Sequence, residues 1–183
     1  GTIYGVFQDP AYPGTPQVLG TLDIAGAIGD IVIMDDIATL GDWIEDIDFA
    51  VDGTLYGVIG ADGSQPGQIV TIDTVSGTIS PTGAYGASGD YHAIEFVTGT
   101  RDLYHSFCLN DDQDCRLELI SVDSGAVMPV LDDLDRTYPA MAYDVMSNVL
   151  LAFGHDGYYN VNPLTGQETL IRSMWGTLIR STT

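Results

Sequence analysis

The chain has no lysine, and its five arginines face 26 acidic residues. The resulting formal charge of −21 excludes nucleic acids and anionic membrane surfaces as natural partners, because both repel it. Three histidines and two cysteines, scattered among 183 residues, are too few and too dispersed for a zinc cluster. No apolar run approaches the roughly 20 residues that a membrane-spanning helix needs. Helical periodicity is absent along the whole sequence, and so is any Asn-x-Ser/Thr glycosylation site. The opening at Gly1 lacks the basic and apolar regions of a signal peptide, so a secreted origin implies a mature form or a piece of something longer.

What is present is apolar residues at 45%, enough for one buried core. Aspartate accounts for 22 of the acids, which reads as a solvated surface that added salt stabilises by screening self-repulsion. The two cysteines fall in "FCLNDDQDC". Cys108 and Cys115 flank a polar, turn-forming stretch, and two strands joined there place them opposite each other. The reading is a hairpin disulfide and an oxidising compartment, with a reduced, buried thiol pair as the alternative.

Self-similarity organises the rest. "GTLYGV" at 53–58 recurs as "GTIYGV" at 1–6, "DLYHS" at 102–106 and "LLAF" at 150–153. Each is followed by alternating apolar residues running into a turn glycine: "LGTLDIAG", "IVTIDTVSG", "LELISVDSG" and "YYNVNPLTG". A third element precedes them: "WIEDIDF", "YHAIEF" and "YPAMAY", whose leading Trp43, Tyr91 and Tyr138 each lie 12 residues before the leucine of the next strand. Weaker strands follow the turns in "DIVIM", "TISPTG", "AVMPVL" and "ETLIRS". Four short strands, a to d, per repeat of about 46 residues predict an all-β, four-bladed β-propeller of antiparallel strands. A β-sandwich is the competing arrangement. The predicted blades cover about 43–89, 90–137 and 138–174, with blade one formed by 1–42 plus 175–183.

The last assignment rests on a seam. "WGTLIRSTT" at 175–183 aligns with the a strands, while blade one begins at its b strand. Trp175, Leu178, Ile179 and Arg180 therefore read as a closure strand for blade one, of this chain or a neighbouring copy, and covalent continuation of the pattern is a third possibility.

These motifs, "LYG" followed by the "ID…SG" and "VNPLTG" turns, resemble secreted bacterial β-propeller repeats of the broad YVTN/NHL-like kind, over nearly the whole chain. The resemblance implies a fold rather than an activity, since such proteins serve as surface modules, ligand binders and occasional hydrolases or lyases. No catalytic set of that group maps onto this sequence. Ser121 stands where the other turns carry Asp23 and Asp73.

Acid concentrates on the rim expected to carry the b–c loops and the connections between blades, where Asp35, Asp36, Asp132 and Asp133 are placed among the connections. Asn110, Asp112 and Asp114 match the first three ligands of a calcium loop, but Cys115 and Ser121 occupy its glycine and bidentate-glutamate positions. Calcium is thus the one candidate ion, and no cofactor motif is present. Trp43, Tyr91, Tyr138 and Trp175 recur once per blade and are candidates either for a sugar-stacking platform or for packing between blades. Asp46 and Asp48 share a strand face and are an acid–base pair in form. His92, His105 and His155 lack a recognisable nucleophile partner.

The functional expectation is a non-enzymatic extracellular assembly subunit that partners copies of itself, without membrane insertion. A binding module for a cation, glycan or small ligand comes second, and a hydrolase third.

Overall fold

The computed structural model describes residues 2–8, 16–23, 32–110, 113–134, 136 and 138–174. Every regular element among them is a strand. Blade one holds β1 (Ile3–Phe7), β2 (Val18–Asp23) and β3 (Val32–Thr39); blade two holds β4 (Ile44–Phe49), β5 (Leu55–Ile59), β6 (Gln68–Ile72) and β7 (Ile79–Tyr85). Blade three holds β8 (Asp90–Phe96), β9 (Asp102–Asn110), β10 (Gln113–Ser121) and β11 (Val127–Leu134); blade four holds β12 (Ala140–Asp144), β13 (Val149–Gly154), β14 (Gly157–Val161) and β15 (Glu168–Ser173). Strands pair in chain order, all antiparallel, giving one three-stranded and three four-stranded sheets among the described residues. This is the four-bladed β-propeller that the repeats predict. The proposed closure strand, 175–183, lies outside the described residues.

Period-two alternation sends each strand's side chains to the two neighbouring blades. Leu55 and Ile59 of β5 join Leu19 and Leu40 between blades one and two. Tyr56 and Val58 of the same strand join Ile94, Phe96 and Leu103 between blades two and three. Tyr104, Cys108 and Leu117 meet Tyr138, Leu150 and Tyr159 between blades three and four. Leu55, Leu103 and Leu150, the repeated leucines, are all buried, and each contributes about 2 kcal/mol of hydrophobic stabilisation.

The c–d turns repeat in main-chain detail. Gly77, Gly125 and Gly166 each donate an N–H to the carbonyl four residues back, on Asp73, Ser121 and Asn162, at 2.8 Å. All three glycines have positive φ (67°, 70° and 69°), where a side chain is strained. Blade three keeps the turn with Ser121 because this bond uses the carbonyl rather than the side chain.

The acid map needs one correction. Asp35–Asp36 and Asp132–Asp133, expected in connections between blades, lie within the outer strands β3 and β11. An outer strand is a sheet edge facing water, where charged residues are tolerated and discourage edge-to-edge pairing.

Candidate functional site

The first strands of blades two, three and four stand at the centre, β4 against β8 and β8 against β12. Each is the edge of its sheet, so half its N–H groups have no ladder partner within the sheet. Carboxylates of the preceding blade accept them. Asp46 accepts from Ile94 N–H at 2.8 Å, and Asp48 from Phe96 N–H at 2.7 Å. Glu95 accepts from Tyr143 N–H at 2.7 Å. Each bond joins residues 48 apart, about one repeat. The expected Asp46–Asp48 pair does share a face, and that face holds on to the next blade.

Packing these acids together changes their chemistry. Burial pushes Asp46 up to about 7, against the pull of two N–H bonds and with help from the neighbouring charges of Asp48 and Glu45. Burial likewise raises Glu95 to about 7, again with Asp48 and Asp46 adding. Asp48 and Glu45 are raised mainly by burial too. Asp46 and Glu95 therefore hold protons close to neutrality. Among the described residues, no three metal-ligating side chains come together to hold an ion.

A second polar group lies inside blade three. Glu118 stands directly across the β9–β10 ladder from His105, and its Oε1 lies 2.8 Å from His105 Nδ1. His105 Nε2 lies 2.8 Å from His92 Nδ1, and His92 Nε2 lies 2.8 Å from the Gly89 carbonyl. Ala87 N–H donates to the same Glu118 oxygen at 3.0 Å. His92, His105 and Glu118 are buried. Gly89 offers only a carbonyl, so neutral His92 donates Nε2–H to it and accepts at Nδ1 from His105 Nε2–H, and the three side chains form one relay. Burial and the adjacent His105 hold His92 itself down to about 4. The loop above the relay is glycine by necessity: a Cβ at Gly86 would sit 2.3 Å from His105 Nδ1, and one at Gly89 2.2 Å from the Cys108 carbonyl.

The other expected residues are distributed as follows. Cys108 and Cys115 face each other in the β9–β10 ladder and form a disulfide. Asp114 directs its carboxylate to Arg116 at 3.1 Å and has φ 56°. Asp112 and the side chain of Asn110 lie outside the described residues, as do Trp175, Leu178, Ile179, Arg180 and the side chain of Tyr91. Trp43 is half-buried. Tyr138 is 0% exposed and packs on Tyr159, ring centroids 6.0 Å apart, so it fills the junction between blades three and four and offers no stacking surface. Glu95, Glu118 and the His92–His105 contact were missed. The signal for Glu118 was a lone charge between two leucines in "RLELI".

No family model and no curated protein sequence matches this chain. Solved structures do. TolB from Acinetobacter baumannii superposes at a TM-score of 0.62 and 15% identity, covering 93% of this chain and 41% of that one. The PQQ-bound aldose sugar dehydrogenase of Streptomyces coelicolor gives 0.62 at 14% identity, over 93% and 62%. What they share is the β-propeller fold. An auxiliary nutrient binding protein from Bacteroides ovatus follows at 0.54 and 11% identity, over 91% and 40%. The chain thus spans less than two thirds of the length of each of these propellers, and at such identities the likeness extends to fold alone.

Proposed function

We propose that this chain is an extracellular, non-enzymatic β-propeller module that assembles by strand completion. One observation carries the reading: among the described residues blade one has three strands where each other blade has four, and the repeats put the unfilled position on the inner side, beside β1. An inner strand edge at the centre of a propeller is a docking site for an extended segment, by the same main-chain bonding as strand addition elsewhere. The segment 175–183, with apolar Trp175, Leu178 and Ile179, has the pattern to fill it, from its own chain or from a neighbour. The Cys108–Cys115 disulfide supports an oxidising location.

The experiment is removal and return of the strand. A chain ending at Met174 is expected to melt lower than the full chain, and a synthetic peptide of residues 175–183 is expected to restore it. An unchanged melting point after truncation overturns the reading.

A further inference from the structure

Four blades arranged as a ring have four junctions, and apolar clusters occupy three of them among the described residues. The repeats identify what the fourth leaves uncovered. The leucine position that faces the preceding blade is 1%, 0% and 0% exposed at Leu55, Leu103 and Leu150, but 40% at Ile3 of blade one. The position three residues further on, facing the following blade, is 0% exposed at Val58 and Ser106, but 40% at Phe153 of blade four. Two half-junctions of the same kind are thus open, one at each end of the row of blades.

Blade four's half is shaped to receive something. Leu151, Phe153, Tyr158 and Ile171 line an apolar hollow of about 230 Å³, with Arg172 at its edge. Phe153 and Tyr158 meet edge to face, ring centroids 4.8 Å apart, and Ile171 is 53% exposed. Arg101, Arg116 and Arg136 are ion-paired, whereas Arg172 has no ion pair among the described residues. A lone cation beside an apolar hollow, in a chain of charge −21, favours an acidic partner. Blade four also lacks the carboxylate reach of blades two and three. Ala140 and Ala142 stand in the register positions of Asp46 and Asp48, and Ala142 also in that of Glu95, so no carboxylate reaches onward from there and the junction rests on apolar contact.

We infer that the open face of blade four takes blade one of a second copy of this chain. The occupant is argued from the molecule itself. Blade one presents Ile3, Phe7, Val18 and Leu22 on the face away from blade two, in the position through which blades two, three and four already dock on their predecessors. The pairing is head to tail, and it closes as a ring or grows as a filament according to the angle. This deepens the assembly reading and rests on it, naming the surfaces that meet.

The test is sedimentation of the full chain with two exposed substitutions, Ile171→Lys on the blade-four face and Ile3→Lys on the blade-one face, with circular dichroism to verify folding. The native chain is expected to gain mass with concentration. Each variant alone is expected to sediment as a monomer. An equimolar mixture of the two is expected to form a 1:1 dimer, because each retains the half the other has lost. A native chain that stays monomeric overturns this inference together with assembly between copies. Self-association untouched by either substitution, or a mixture that stays monomeric, overturns the face assignment alone.

Discussion

The protonated centre makes the stability of this protein fall as pH rises through neutrality. Asp46 titrates at about 7 in the fold and at 3.8 when exposed. Glu95 moves from 4.5 to about 7. Between those limits the folded chain binds more protons than the unfolded one, so the free energy of unfolding decreases with rising pH. The shift at Asp46 alone corresponds to about 4 kcal/mol at full burial. Glu95 adds to this, solvent screening and the opposite shift of His92 subtract from it, and a net loss of about 3 kcal/mol between pH 5 and pH 8 is expected. At ~2–4 °C per kcal/mol for a chain this size, the melting point drops by roughly 6–12 °C. His92 acts in the opposite sense. Its folded value of about 4 lies below the ordinary 6.5, so the stability of keeping it neutral is lost as pH falls from 6.5 toward 4. Stability therefore peaks at about pH 5. Scanning calorimetry at fixed ionic strength measures the curve, and Asp46→Asn is the control. The amide oxygen still accepts one of the two N–H bonds now made to Ile94 and Ile47. The lost bond costs about 1 kcal/mol at every pH, but the slope between pH 5 and pH 8 flattens. A melting point that climbs from pH 5 to pH 8, or an Asp46→Asn slope equal to the native one, refutes the reasoning.

Other perturbations test the remaining features. Replacing both Cys108 and Cys115 by alanine opens a short loop whose closure is worth about 2.5 kcal/mol on the chain-entropy estimate, and urea unfolding is expected to show a loss of that order. Glu118→Ala leaves His105 and the Ala87 N–H without their partner inside blade three; a loss of about 3 kcal/mol is expected, with proton NMR of the imidazoles reporting the broken relay. Gly86→Ala drives a methyl to within 2.3 Å of His105 and is expected to lower the melting point, with relief in the His105→Ala background. Raising NaCl from low to high concentration is expected to raise the melting point of the native chain by screening its excess acid.

The strands and their order were legible because alternation and the turn glycines are local signals. "GTLYGV" and "IVTIDTVSG" announce β5 and β6 almost to the residue. The disulfide was legible for the same reason, since eight consecutive residues contain the whole hairpin tip. The centre was not. Asp46 and Asp48 were noticed as a pair, but their partners lie a full repeat away, and a chain with 22 aspartates gives no reason to single two out. Glu118 and His105 meet only when the β9–β10 register is known, and His92 joins them from a third strand. The recurring aromatic at the head of each a strand was visible, yet its role depends on depth: Tyr138 is buried, where a ligand platform needs open faces.

The reach of Asp46, Asp48 and Glu95 into the following blade has an evolutionary consequence. Their targets, Ile94, Phe96 and Tyr143, are each reached through the main-chain N–H. These hydrogen bonds, unlike the apolar packing around them, place no demand on the recipient's side chains. A blade copied or shuffled by recombination brings its own fastener and finds a main-chain fitting on whatever strand comes next, so only the apolar packing of the new junction is left to adapt.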